Sequence, residues 1–344
     1  MSGTSLDGLD LLLIEFDREF NYQLLKAQSL PYSSAWQKKL AFQPHISATQ
    51  LLALNAEYGN FLASAVKDFL GGERVAFIAS HGHTFFHDPR RAFTYQLGGG
   101  PELHQKTGFP VVCDFRQEDL TRGGQGAPLV PIGDRDLFAD YDLCLNLGGF
   151  ANLSYQQASL RKASDLLPCN LLLNAQARQL GLDYDKDGEI ARSGKVIPIL
   201  LKKLRERWQP RLNNPIALSA EWLNQYFLAG LDLHGHPVED LLATFSQYIA
   251  ETLARVIDEI GGEALLVTGG GAHNQYLINT LRSLSPVKIV LPDPWIIDFK
   301  EALIFIYLGW LRLKGRDNIL ASVTGADHDH CAGRIYGSHS FSNS

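Results

Sequence analysis

The sequence predicts an α/β fold in two domains. Three observations carry this: a length of 344 residues, short apolar runs that close on glycine, and stretches of helical period between them. Domains cluster near about 100 to 150 residues, so the chain is long for one. Its 45% hydrophobic and 20% charged residues are those of a chain that folds around a core. A formal net charge of −6 offers no basic footprint for nucleic-acid phosphates or anionic lipid, and neither partner is expected.

Residues 9–16 follow the turn pair Asp7-Gly8 and read as a strand, as does the apolar run 75–80. Between them, residues 50–70 place Leu51, Leu54, Tyr58, Phe61, Leu62, Ala65 and Phe69 three and four apart, an amphipathic helix stopped by Gly71-Gly72. Further strands are expected at 111–113, 142–147 and 264–268, and helices at 170–180 and 241–260. The domains are expected at 1–135 and 136–344, with the last helix able to pack back on the first. The apolar stretch 302–311 is about half of the roughly 20 residues a membrane-spanning helix needs and reads as a core helix. Met1-Ser2-Gly3-Thr4-Ser5 has neither the basic start nor the apolar centre of a secretory signal, so a cytoplasmic location is expected. Cys113, Cys144, Cys169 and Cys331 lack CxxC spacing, which argues against a zinc ribbon or a disulfide framework.

Three glycine-bearing loops stand out: Gly3-Thr4-Ser5-Leu6-Asp7-Gly8, Asn146-Leu147-Gly148-Gly149-Phe150-Ala151-Asn152 and Thr268-Gly269-Gly270-Gly271-Ala272-His273-Asn274. Glycine lets backbone N–H groups approach an anion, hydroxyls add donors, and a carboxylate such as Asp7 can hold a metal ion beside phosphate oxygens. Neither GxxxxGK[ST] nor GxGxxG occurs at these strands. Two phosphate loops followed by a late adenosine loop resemble the sugar kinase and actin superfamily. That resemblance implies an actin-like, ribonuclease H-like two-domain ATPase fold with nucleotide in an interdomain cleft.

The segments around the loops sharpen the resemblance. Met1 to Asp10, Ser80-His81-Gly82-His83-Thr84, Asp114-Phe115-Arg116, Gly123-Gly124-Gln125-Gly126-Ala127-Pro128-Leu129-Val130-Pro131, Asn146-Leu147-Gly148-Gly149, Tyr184-Asp185-Lys186-Asp187-Gly188 and Ser322-Val323-Thr324-Gly325-Ala326 together resemble the anhydro-N-acetylmuramic acid kinases. The resemblance spans nearly the whole chain. It implies opening of the 1,6-anhydro ring of a cell-wall recycling sugar by water, with transfer of the ATP γ-phosphoryl to O6.

By the same resemblance Asp114 is the base that deprotonates water, with Asp119 as the runner-up. Gly3, Thr4, Ser5, Leu6, Asp7, Gly8, Leu9 and Asp10 wrap the phosphates, with Asp7 near magnesium. Gly148 and Gly149 form the second phosphate loop, and Gly269, Gly270, Gly271 and Asn274 back the adenosine. His83, Gln96, Arg116 and Glu301 are expected at the sugar, and a homodimer is implied. Without the resemblance, Asp114 reads as a strand-end carboxylate capping N–H groups or pairing with Arg116.

Two departures stand out. Where the family carries DTGPGN, this chain has Asp165-Leu166-Leu167-Pro168-Cys169-Asn170, and Leu167 and Cys169 bear the Cβ atoms that glycine lacks. The family also begins with several residues of strand before the first loop. These departures motivate alternatives: a paralogue that binds nucleotide or sugar without turnover, or a kinase for another anhydro-sugar. His81, His83 and His87 with Asp88 suggest a metal site only weakly, and residues 183–188 open like an EF-hand but place Gly194 at the twelfth position.

Overall fold

The computed structural model describes residues 1–3, 6–212 and 218–338. The chain divides into two compact units, Met1–Asp136 with Phe299–Ser344, and Leu137–Asp298. The first unit holds β1 (Gly8–Phe16), β2 (Tyr22–Pro31), β3 (Ile78–Ala79), β4 (His83–Asp88), β5 (Phe93–Leu97) and β6 (Val111–Cys113). The second holds β7 (Leu143–Leu147), β8 (Phe150–Gln157), β9 (Leu160–Pro168), β10 (Ala264–Thr268) and β11 (Lys288–Val290). A last strand, β12 (Arg334–Tyr336), belongs to the first unit.

In the first unit β1 and β2 form an antiparallel hairpin, β4 pairs with β5, and β6 lies between β3 and β12. Helix Ala48–Leu70 forms where the helical period predicts it. Ser47 and Gln50 close a capping box at its start, and Gly71, at φ 60°, ends it. Its Leu54, Tyr58, Leu62 and Phe69 pack with Leu9 and Leu11 of β1. The strand expected over 75–80 shortens to Ile78–Ala79. β1 and β3 do not pair with each other, and a groove of about 480 Å³ is lined by Leu9–Phe16 and residues 75–81. Ser2 bridges antiparallel to Leu9 and parallel to His83.

The second unit carries one five-stranded sheet in the order β11-β10-β7-β8-β9. Strands β7, β8 and β9 form an antiparallel meander, and β10 and β11 run parallel to β7. This is the ribonuclease H-like topology that the resemblance implies. Helix Val238–Ile260 covers the sheet with Phe245, Tyr248 and Ile249, packed in one core with Leu145 and Leu147 of β7.

The chain from Phe299 onward, including most of the last long helix, groups with the first unit. Several bonds hold it there. Strand β12 pairs antiparallel with β6, Thr324 Oγ1 donates to Asp119 Oδ1 at 2.7 Å, and Phe305 packs 4.8 Å from His81 and 5.4 Å from Phe115, ring centre to ring centre. Among the described residues no helix is long and apolar enough to cross a membrane.

Candidate active site

A cavity of about 340 Å³ opens in the first unit, within the size range of small-molecule sites. Ser80, His81, Gln96, Gly98, Asp114 and Arg334 are among its lining. Asp114 follows the last residue of β6 and has φ 55°, a left-handed conformation that a non-glycine residue rarely adopts. Such strain, of order 1–3 kcal/mol, persists where surrounding structure fixes a side chain at a site. Burial raises the Asp114 carboxyl above the ordinary aspartate range, while Arg334 and the backbone N–H of Gln117 oppose the rise. The Arg334 Nε to Asp114 Oδ2 distance is 3.6 Å, a charge pair rather than a hydrogen bond. The result is an accessible carboxylate more basic than a free aspartate. Arg334 carries no signal in sequence, because the three-residue strand it sits on has no legible period.

His81 and Arg116 are fixed together beside this cavity. Arg116 donates from Nε and Nη2 to His81 Nε2 at 3.0 and 2.9 Å and from Nη1 to Gly126 O at 2.7 Å. Nε2 therefore accepts, and Nδ1 donates to Gly82 O at 3.0 Å. Burial and the Arg116 charge hold the His81 ring well below the usual histidine range, hence neutral. Glu301 is accessible to solvent yet set in crowded surroundings that raise its carboxyl, against the pull of Arg116 and the Met1 ammonium. Gln96 lines the cavity and donates to Thr94 Oγ1 at 2.7 Å.

Of the residues expected at the sugar only Gln96 lines this cavity; Arg116 and Glu301 are not among its lining residues, and His83 and the runner-up base Asp119 are placed otherwise. His83 is 2% exposed and does not line the cavity; its Nδ1 meets Ser2 Oγ at 3.0 Å and its Nε2 meets Leu40 O at 3.2 Å. Its ring thus fixes the residue before the first glycine loop. Asp119 is fully buried and accepts from Gly126 N at 2.7 Å and Thr324 Oγ1 at 2.7 Å, so its oxygens tie down the Gly123–Gly126 turn rather than meet a water nucleophile. The histidine rings are likewise committed, His87 Nδ1 lying 3.1 Å from Thr94 Oγ1. In the EF-hand-like segment both Asp185 oxygens accept helix-start N–H groups, from Ile190 and Ala191 at 2.9 Å.

In the first glycine loop Thr4 and Ser5 lie outside the described residues. Leu6 has φ 59°, and Asp7 is exposed, its Oδ1 accepting from Gly8 N at 2.9 Å. A Cβ on Gly8 would lie 2.7 Å from Leu30 O, so the hairpin admits only glycine there. Leu9 is a core residue at 3% exposure, and Asp10 Oδ1 accepts from Ser29 Oγ at 2.5 Å.

The second unit brings the other two loops together at the ends of parallel neighbours β7 and β10. Gly148 and Gly149 form the β7–β8 turn, and their carbonyls accept from Asn170 N at 3.1 Å and Cys169 N at 2.9 Å. Asn170 Nδ2 donates to Leu147 O at 2.9 Å and sits against Gly270 and Gly271. The Leu167 and Cys169 departures impose no left-handed strain: neither has positive φ, both are 0% exposed, and Leu167 is strand rather than loop. Asn274 caps helix Gln275–Leu284 through Leu277 N at 3.0 Å, so its side-chain oxygen is already used. Gly269, at φ 81°, would place a Cβ 2.5 Å from Asn146 Oδ1. Gly269→Ala is expected to cost about 1–2 kcal/mol in thermal stability and to spread the two loops apart. Melting temperature reads the first effect and the KM for ATP the second.

The model of the anhydro-N-acetylmuramic acid kinase family matches residues 1–338. An anhydro-N-acetylmuramic acid kinase of Pseudomonas fluorescens (strain Pf0-1) is 35% identical over 363 residues, covering 98% of this chain and 98% of that protein. Solved structures that align include a putative N-acetylmannosamine kinase from Listeria monocytogenes, at 14% identity and TM-score 0.38, with 89% of this chain and 96% of that one covered. A glucokinase from Streptomyces griseus in complex with glucose and AMPPNP aligns at 12% identity and TM-score 0.36, with 80% and 88% covered. The two full-length sequence matches establish that this chain belongs to the anhydro-N-acetylmuramic acid kinase family.

Proposed function

We propose that the protein is an ATP-dependent kinase that opens 1,6-anhydro-N-acetylmuramic acid and phosphorylates O6, giving N-acetylmuramic acid 6-phosphate in cell-wall recycling. The observation that carries this reading is Asp114, a strained carboxylate of raised basicity in a sugar-sized cavity, in a chain of this family. Asp114 takes a proton from a water molecule as that water bonds to the anomeric carbon. The bond from that carbon to the bridging oxygen breaks, and the oxygen, now O6, bonds to the γ-phosphorus as ADP leaves. Asp114 then returns its proton to solvent. Neutral His81, locked by Arg116, keeps the cavity wall fixed, and Gln96 offers a hydrogen-bonding group to the sugar.

Magnesium belongs to the same proposal and would neutralise charge developing on the phosphates. The residues fit it in a limited sense: the Asp7 carboxylate is exposed beside a cramped glycine hairpin. Among the described residues no group of three metal-ligating side chains exists, so an ion at Asp7 would draw its other ligands from phosphate and water. The loops of Gly148–Gly149 and Gly269–Gly271 are the proposed nucleotide contacts of the second unit. Cytoplasmic residence and a homodimer complete the reading, on the strength of the family resemblance.

Because the Asp114 carboxyl must be ionised to accept a proton, activity falls as pH drops through its raised pKa. The acidic limb of kcat/KM is expected above the ordinary aspartate range, and an initial-rate pH profile checks it. The reading itself is tested by ADP release from purified protein with magnesium, ATP and the anhydro-sugar. Sugar-dependent release, with product heavier than substrate by one water and one phosphoryl group, is the expected result. Absence of turnover with tight ligand binding would instead favour a binding paralogue.

A further inference from the structure

We propose that Arg334 selects the substrate by binding its lactyl carboxylate, which makes this residue the specificity determinant between muramic and glucosamine anhydro-sugars. The inference rests on the reading of the Asp114 cavity as the sugar site. N-acetylmuramic acid differs from N-acetylglucosamine by a lactyl ether that carries the sugar's one negative charge. A cavity that admits this anion beside a carboxylate base places two like charges together, which is costly without a cation between them.

Among the described lining residues Arg334 is the one lysine or arginine and Asp114 the one carboxylate. His81, the cavity's histidine, is held neutral. Strand register fixes the arrangement. Arg334 on β12 pairs directly opposite Cys113 on β6, the neighbour of Asp114 in sequence. The Arg334 side chain is 68% exposed, within reach of an entering ligand, and Tyr336 on the same strand lines the cavity with it. At 3.6 Å from Asp114 Oδ2 its Nε is not committed to a hydrogen bond with the base. A guanidinium presents five donors in a planar fork and can answer a second carboxylate while still neutralising the first.

The test compares wild type, Arg334→Gln and Arg334→Lys with 1,6-anhydro-N-acetylmuramic acid and 1,6-anhydro-N-acetylglucosamine, by steady-state kinetics and equilibrium binding. Arg334→Gln is expected to raise the KM and Kd of the lactyl sugar by about 10- to 100-fold and to shrink the preference between the sugars by the same factor. Arg334→Lys should restore part of it. If Arg334 merely tunes Asp114, both sugars lose kcat/KM equally and the preference ratio stays constant, which overturns the proposal. Equal wild-type affinity for the two sugars overturns it as well. Binding is read separately from ADP release, so a wild type that discriminates without turnover would refute the kinase reading and leave the role of Arg334 standing.

Discussion

Asp114→Asn is expected to lower sugar-dependent ADP release by about 10²- to 10⁴-fold while leaving sugar affinity within a few fold of wild type. The amide matches the carboxylate in shape, and Asp and Asn both tolerate left-handed backbone, so the φ of 55° is retained. What disappears is the ability to take a proton from water at neutral pH. Arg334 loses a partner, but its side chain is 68% exposed and water replaces the interaction cheaply. Steady-state rates alongside calorimetric titration of the sugar separate the two effects. A variant that turns over near the wild-type rate would remove Asp114 from the chemistry. One that no longer binds sugar would make it a ligand-positioning group.

Asp119→Ala is expected to destabilise the first unit strongly. The carboxylate is 0% exposed and accepts from Gly126 N and Thr324 Oγ1, joining the glycine turn to the chain's C-terminal segment. Gly124 packs so close that a Cβ there would lie 2.2 Å from Asp119 Oδ2, so the carboxylate fills the space inside the glycine turn and its removal leaves a cavity. Removing the acceptor strands buried donors, at about 3 kcal/mol or more. For a unit of this size that is roughly 6–12 °C in the temperature of its transition. Thr324→Val removes one donor and leaves the acceptor its other bond, so its loss should be smaller. Thermal denaturation of both variants checks the order, and equal losses would mean that Asp119 acts through the Thr324 bond alone.

Much of the site's frame was legible in the sequence because its signals are local. Helix Ala48–Leu70 announces itself by apolar spacing and by Gly71, and the glycine turns at β7 and β10 follow apolar strands. Asp114 was reachable because the strand Val111–Cys113 ends beside it, although its role came from the family resemblance. The departures at Leu167 and Cys169 look disruptive in sequence, but a bulge in β8–β9 pairing lets the consecutive Leu166 and Leu167 both enter the core, and Cys169 is buried just before helix Asn170–Ala177. Beyond the expectation that the last helix can pack back on the first domain, the nonlocal features were not legible. Residues 299–344 join the first unit through single hydrogen bonds, aromatic packing and a three-residue strand, none of which has a periodic signature. Arg334 reaches Asp114 by that strand pairing alone. His83 drew attention as a polar residue in a family motif, yet its neighbours Ser2 and Leu40 satisfy both ring nitrogens.

The most direct measurement is turnover in oxygen-18 water with ATP and 1,6-anhydro-N-acetylmuramic acid, followed by mass spectrometry of sugar phosphate and inorganic phosphate. If water attacks the anomeric carbon and the freed O6 takes the phosphoryl group, the label resides on C1 of N-acetylmuramic acid 6-phosphate and the phosphate carries none. Label recovered in inorganic phosphate, with the anhydro-sugar intact, would mean that water attacks phosphorus and that Asp114 is not the base for ring opening.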